Sequence, residues 1–564
     1  MTKVGDSGYR LAMTVIRKLC FIDPKPQLVA AAEEAGYELL LLRTGKQPFF
    51  DLAAALDEHG FEPELVMQTE TLADRTIVTG LDTVDCPTMF WAMDPHLNAY
   101  WHSAYARLFD VTCSTQRQWI PRIKRQGATD VRWLPIFGRA EPWKPMAERQ
   151  LDMAFVGRIT PQRPARQWMV KFLREKAQGH TLSIEDNLTY TKMMELYGDS
   201  RIIPNESIFG EVNFRLFEAA SCGCLVMSQD LGEEQEALFE PGREFDTYAD
   251  VVELDHKLSW YLDNPRLVQA MGMAARERVL SEHLPEHRLA RLVSIASEAT
   301  RCRVTGVEAS KWETLTAVAM WEAGLLVQPV KTILARLADL DQDGDIVAAL
   351  LRVQSGAKLN KAMSDNLKVI LTNNICCDVL DVNLAGSMAA LRLDEWDWAK
   401  SFWYRHLRSG PERRLAPPTD KFSLLTLWAK ELKRADRVVR AGFSFNVEHH
   451  LPMSATDCLM TILSEEPEHL PTLRLLDTML RPIMGLEQAR VGFLSILTLF
   501  ERTDWRLALE IALANLRSYR LESGLEELEL AQSMAREQGQ ESLFRKALAT
   551  RDRAGLLSRH LAKG

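Results

Sequence analysis

The stretch GEVNFRLFEAASCGCLVMS, residues 210–228, decides how this chain is read. Asn213 can cap a helix, Phe214–Cys222 fills it, Gly223 can stop it, and Cys224–Met227 is an apolar run of strand length. A helix that delivers the chain into a buried strand is half of a βαβ unit, and such units build parallel sheets covered on both faces. Arg215 and Glu218 stand three apart, on one face of this helix. Burying either side chain is costly unless it is paired. Two readings follow: an ion pair between them, or a Glu218 that accepts hydrogen bonds from a ribose while Arg215 faces phosphate.

The surrounding chain extends the pattern. The strand Met153–Val156 runs into Gly157-Arg158, the helix Arg163–Ala177 follows, and Arg201–Ile203 is a short strand. Glycine lets the backbone approach a ligand, and an arginine there can fork onto a diphosphate; a turn with a surface arginine has the same sequence. Helices Asp250–Leu262, Arg266–Leu280 and Pro285–Ala299 close the series. An earlier series precedes it. Lys18–Ile22 and Tyr37–Leu42 read as strands around the helix Gln27–Ala35, which Gly36 ends; Phe49–His59 is helical up to Gly60; Glu64–Met67, Thr88–Trp91 and Phe109–Cys113 are further strands. Between the two series, residues 134–150 hold three prolines and no periodicity, and read as a linker. In doubly wound sheets ligands bind beyond the carboxyl ends of strands, where helix N-termini attract phosphate. Asp94 and His96, in FWAMDPHL, follow a strand, so they stand where the cleft is expected and are candidate catalytic bases. An aspartate before proline is also an ordinary turn residue.

After about residue 300 strand patterns cease and amphipathic helices follow one another, among them Trp312–Ala323, Gln328–Leu337, Ile346–Val353, Leu470–Leu480, Leu486–Phe500 and Trp505–Leu516. Trp396, Ala399 and Trp403, followed by Pro411, stand at the spacing of half a tetratricopeptide unit, and Trp505, Ala508 and Ala512 partly repeat it. The domains expected are therefore 1–134, 151–300 and 301–564. DLDQDGDI at 339–346 has calcium-loop spacing at its start but Leu350 at the twelfth position, so it reads as a polar turn. The tryptophans at 396, 398 and 403 read as helical core, and His449-His450 as an exposed loop pair.

Composition excludes other classes. The 564 residues are too many for one core. A net charge of −9 argues against a nucleic-acid partner. No apolar stretch is long enough for a transmembrane helix, and the N-terminal residues 1–27 do not form a convincing signal peptide. The nine scattered cysteines have no zinc spacing and read as reduced, mostly buried thiols of a cytoplasmic protein.

Residues 150–300 resemble the C-terminal half of group 1 glycosyltransferases of GT-B fold, and most of all their spore-maturation-type branch. FVGRI, NFRLFEAASCGCLV, LFEPGREFDTYADVVEL and RLVQAMGMAARERVLSEHLPEHRLARL carry the resemblance; PTMFWAMDPHL, FDVTC and DVRWLPIFG extend it into residues 85–137. The resemblance implies two Rossmann-like domains, a nucleotide diphosphate sugar as donor, and no metal or other cofactor. Glu218 falls where the family glutamate binds the donor ribose. Gly157 and Arg158 fall where an arginine meets the diphosphate, and Asn213 and Arg215 on the branch's N-x-R pair. Two positions depart: Gly210 replaces an earlier family glutamate, with Glu211 beside it, and Arg163 or Arg166 stands where many members carry lysine. The expected fold is thus α/β GT-B followed by an all-α repeat-like region. The expected activity is a hexosyltransferase acting on a hydroxyl, with the helices recognising a protein acceptor or partner. The competing reading is a non-catalytic scaffold with a degenerate transferase half. Because every matched residue precedes 300, donor binding is expected to survive a cut near that point.

Overall fold

A computed structural model describes residues 16–71, 75–161, 163–410 and 416–563. The chain start through residue 15, and Pro411, lie outside the described residues. The chain groups into two compact units, Met1–Pro135 with Pro285–Gln342, and Ile136–Leu284 with Asp343–Gly564.

The first unit contains strands β1 (Lys18–Ile22), β2 (Glu38–Leu42), β3 (Phe49–Asp51), β4 (Leu65–Thr69), β5 (Ile77–Thr79), β6 (Thr88–Ala92), β7 (Val111–Ser114) and β8 (Val131–Trp133). Six form a parallel sheet in the order β2-β1-β4-β6-β7-β8, and β3 pairs with β5 apart from it. Every residue of the interior strands β4 and β6 is buried. The apolar run of β2 lies instead at the sheet edge, where Glu38 and Leu41 face solvent. Phe49–Asp51 was read as helix but is strand; Asp51 accepts a hydrogen bond from the Ala54 backbone N–H at 3.1 Å, so the helix starts only at Leu52. The helix Gly306–Glu322 packs along the helix Pro95–Tyr105. Arg303, just before it, is fully buried and donates to Asp110, to the Cys86 carbonyl at 3.0 Å and to Thr88 Oγ1 at 3.1 Å.

The second unit contains β9 (Leu151–Val156), β10 (Leu182–Glu185), β11 (Ser200–Asn205), β12 (Leu225–Gln229) and β13 (Asp246–Tyr248), all parallel, in the order β10-β9-β11-β12-β13. The two edge strands were not read from the sequence: they are short and carry polar residues, since only one long side of an edge strand is paired. The helices beyond Asp343 pack as consecutive pairs, such as Leu380–Arg392 with Trp396–Ser409 and Trp505–Arg517 with Leu521–Glu537. A Cβ at Gly386 would lie 2.5 Å from the Phe402 ring, so this close helix approach needs glycine. Trp403 is buried, edge-on to Trp428 with ring centres 4.8 Å apart, and Trp396 and Trp398 pack against the same core. Asp343 caps the helix Gly344–Gly356 through the N–H groups of Asp345 and Ile346. His450 accepts from the Asn446 backbone N–H in a turn. All nine cysteines are free thiols, six of them buried.

Two Rossmann-like parallel sheets and a helical region make up the α/β GT-B fold class with an added all-α part that the sequence predicts. The expectation that donor binding survives a cut near residue 300 meets a shared core. Phe155, Ile202, Leu225, Met227, Val251 and Leu254 of the second sheet and its helices share a single apolar core with Trp505, Leu509, Leu513, Leu516, Leu528 and Phe544. A cut near residue 300 would remove the second group and expose apolar surface of the first.

Candidate functional site

In the second unit, the carboxyl ends of β9 and β11 and the start of the helix Phe214–Ser221 converge. Arg215, in the first turn of that helix, is buried and nearly spent. Its Nη2 donates to the Val156 carbonyl at 2.9 Å, and its Nη1 to Asn205 Oδ1 at 2.8 Å and to the Glu206 carbonyl at 3.4 Å. Its guanidinium also lies 4.7 Å from the centre of the Phe155 ring. Arg166 pairs with Glu206 through Nε at 2.8 Å. Gly157 is wedged between these two arginines: a Cβ there would stand 2.9 Å from Arg215 Nη2 and 3.3 Å from Arg166 Nη1. Arg158 is exposed, and among the described residues nothing pairs with its guanidinium. Arg163 is half-buried; burial, then the charge of Arg166, lowers its pKa.

Asn213 stands at the N-cap position, but its side chain does not cap. Its Nδ2 donates to the Glu206 carbonyl at 2.9 Å, and its buried Oδ1 has no partner. Gly210, at φ 77°, occupies the position of the missing family glutamate. Glu211 turns inward and accepts from Ser207 Oγ and from the N–H groups of Ile208 and Phe209, so it shapes the 206–211 loop.

Glu218 is left alone. The Arg215–Glu218 ion pair does not form, because the guanidinium is committed to β9 and β11. No donor among the described residues bonds the Glu218 carboxylate. Its side chain is half-buried, and burial pushes its pKa up to about 7, with Arg215 pulling the other way. A carboxylate kept inside a fold without a partner is a candidate for a ligand's hydroxyl donors.

In the first unit, Asp94 ends the turn after β6 and leads into the helix Pro95–Tyr105, which it does not cap. Its carboxylate accepts no hydrogen bond among the described residues. Burial, then the nearby charge of Glu70, raises its pKa against the pull of His96, Arg75 and Lys25. His96 is buried with Nδ1 unpartnered. Glu70, one residue past β4, organises this corner. It accepts from the N–H groups of Met93 at 2.7 Å and Asp94 at 2.9 Å and from Asn98 Nδ2 at 2.6 Å, while His102 Nε2 lies 3.2 Å away and Arg75 Nη2 3.7 Å. Burial alone would raise the Glu70 carboxyl; His102, Arg75 and these donors outweigh it and hold it at about 2. Sequence reasoning missed Glu70. The signal available was a carboxylate directly at the carboxyl end of a parallel strand. A cavity of about 950 Å³ in this unit is lined by Lys18, Glu64, Pro87 and Asp110, at the amino ends of β1, β4, β6 and β7. That is the end away from which doubly wound sheets bind ligands, so the candidate site stays with the residues above.

Residues 143–294 match a family model described as glycosyl transferase-like. Among solved structures, TarM aligns at 10% identity and a TM-score of 0.34, over 43% of this chain and 57% of its own, so the chain spans little more than half of that protein. Sucrose-phosphate synthase from Thermosynechococcus elongatus aligns at 12% identity and a TM-score of 0.38, over 50% of this chain and 98% of its own. An alpha-glucosyltransferase in complex with UDP-glucose and DNA aligns at 12% identity and a TM-score of 0.37, over 50% and 100%. No curated protein matches. The chain thus carries a glycosyltransferase-like domain. No helix among its described residues is long and apolar enough to cross a membrane.

Proposed function

We propose that this chain is a cytoplasmic hexosyltransferase of the spore-maturation-type branch, moving a sugar from a nucleotide diphosphate sugar to a hydroxyl on a protein acceptor. The observation that carries the reading is the solitary Glu218 within the residues that match the glycosyltransferase-like model. Ionised, it accepts hydrogen bonds from the ribose hydroxyls. Arg158, Arg163 and the N-terminus of the helix Phe214–Ser221 face the diphosphate. Arg215 acts from behind: it braces Val156 and Asn205 and so fixes Gly157 and the helix start.

In transfer, the bond from the sugar's anomeric carbon to the diphosphate breaks, and a bond from the acceptor oxygen forms. The acceptor proton passes to Asp94, whose pKa burial and then the charge of Glu70 raise, with His96 beside it. The leaving diphosphate takes its negative charge onto the preorganised cations, with no metal required. The helical region, read as tetratricopeptide-like pairs, offers the extended surface that holds a protein.

The test is a panel of uridine, guanosine and adenosine diphosphate sugars, screened by thermal unfolding of the full chain in EDTA. One of them is expected to stabilise the protein by about 2.7 kcal/mol at 100 times its Kd, and to be hydrolysed slowly. Absence of both binding and turnover across the panel would leave the scaffold reading standing.

A further inference from the structure

The loop that carries the candidate donor residues, 205–213, is gripped from the far end of the chain at two points. At the first, Gly485 lies in the turn between helices Leu470–Leu480 and Glu487–Phe500, at φ 85°. A Cβ there would fall 1.8 Å from the Ile208 carbonyl oxygen and 3.1 Å from the Phe209 Cα. Both atoms belong to the backbone and cannot swing aside. The turn therefore rests directly on the segment that Glu211 shapes.

At the second point, Tyr519 follows the helix Trp505–Arg517. It is buried at 3% exposure and holds φ 68°, a conformation that L residues avoid. Its hydroxyl lies 2.8 Å from that of Tyr248, which donates to the Asn205 carbonyl at 2.8 Å. Asn205 is the residue whose Oδ1 receives Arg215 and whose Nδ2 donates to Ser228 Oγ at 3.1 Å. Tyr519, Tyr248, Asn205 and Arg215 thus form one unbroken hydrogen-bonded chain. It runs from the helical region to the first turn of the helix bearing Glu218.

We propose that Gly485 and Tyr519 are positioning residues of the donor site, so that the helical region beyond residue 470 is part of the machinery that binds nucleotide sugar. They touch no donor. They set the 205–213 loop and, through it, the orphaned Asn213 Oδ1, Arg215 and the helix N-terminus. The inference rests on the donor reading given above, and the experiment separates the two.

The probe is whichever of UDP-glucose, GDP-mannose and ADP-glucose binds the full-length wild type most tightly, with Kd measured by calorimetry and Tm recorded alongside. Gly485→Ala is expected to weaken binding at least tenfold, because the loop must move. Tyr519→Phe keeps the ring, removes one hydroxyl from the relay, and is expected to weaken binding about threefold. Gly539→Ala is the control: φ is 66° there, and an added Cβ meets nothing within 4 Å. It carries comparable backbone strain in the same helical region but should leave Kd unchanged. A merely structural role would lower Tm in Gly485→Ala and Gly539→Ala alike and leave both affinities intact, which would overturn the proposal. If Gly485→Ala does not fold, Tyr519→Phe decides, and wild-type Kd in that variant overturns it. If no probe binds the wild type, the donor reading itself fails and takes this proposal with it.

Discussion

Glu70, one residue past the carboxyl end of β4, and Glu218, on the helix between β11 and β12, are carboxylates that their surroundings treat in opposite ways. Glu70 receives two backbone N–H groups and an asparagine, with a histidine and an arginine close by, and sits at about 2. Glu218 receives nothing and sits at about 7. The first is complete without a ligand and holds its neighbourhood together. The second is incomplete, and its desolvation is a standing debt in the free protein. Burial raises both; what makes Glu218 the candidate for a ligand is that no donor among the described residues is aimed at it.

The sharpest way to break the comparison is Glu70→Ala. It strands the Met93 and Asp94 N–H groups, Asn98 and His102 in a buried corner, and should destabilise the protein by about 3–5 kcal/mol at pH 7. A depressed carboxyl contributes stability that is present above its unfolded pKa and lost as pH falls through its folded one. The deficit of the variant should therefore shrink from pH 4.5 towards 2. Denaturant unfolding of both proteins across that range checks it; a deficit that stays constant would mean that charge is not what Glu70 supplies.

Glu218→Gln should behave in the opposite sense. Donor affinity should drop by about 1.5–3 kcal/mol, roughly 10–150-fold, since a charged acceptor is replaced by a neutral one. The fold should gain. A carboxyl whose folded pKa is raised makes stability decline as pH rises from about 4.5 to 7, and the variant escapes that decline. Its Tm should exceed wild type at pH 8 and converge with it towards pH 5. A variant less stable than wild type at pH 8 would mean that Glu218 has a protein partner after all. The smallest effect belongs to Arg158→Ala: donor affinity about tenfold weaker, from loss of an exposed, partly screened cation, with stability within about 0.5 kcal/mol of wild type. A calorimetric Kd beside an unfolding curve separates it from Arg215→Ala, which should lose stability first.

The βα alternation was legible because parallel interior strands carry apolar runs such as Met89–Ala92 in β6 and Leu225–Met227 in β12, and because Gly36, Gly60 and Gly223 end elements by the left-handed turns their positions suggest. Edge strands β10 and β13 were not, since short polar segments leave no period to read. For the candidate site, the sequence offers residues but not their partners, and it does not offer Glu70. The i, i+3 spacing of Arg215 and Glu218 suggests a pair; what breaks it is the Val156 carbonyl, 59 residues away. Glu70 meets Asp94 across 24 residues, through a contact that exists only once β4 and β6 are neighbours. Asn213 looked like a cap, and the Glu206 carbonyl took its amide instead.

The shared core of the second unit also bears on how this protein is made. Trp505 and Leu516, which join the core that contains Phe155 and Leu225, stand roughly 300–350 residues later in the chain. At a synthesis rate of about 5–20 residues per second, that is from about 15 s to over a minute of translation. Through that interval the part of the helix Val251–Asp263 that packs on the helix Trp505–Arg517 is synthesised but uncovered. Both units are also discontinuous, each interrupted by a segment of the other. The first unit is complete once Gln342 has emerged, whereas the second cannot close until the helices beyond Asp343 follow, so the newborn polypeptide keeps apolar surface of the second unit uncovered well after the first can fold.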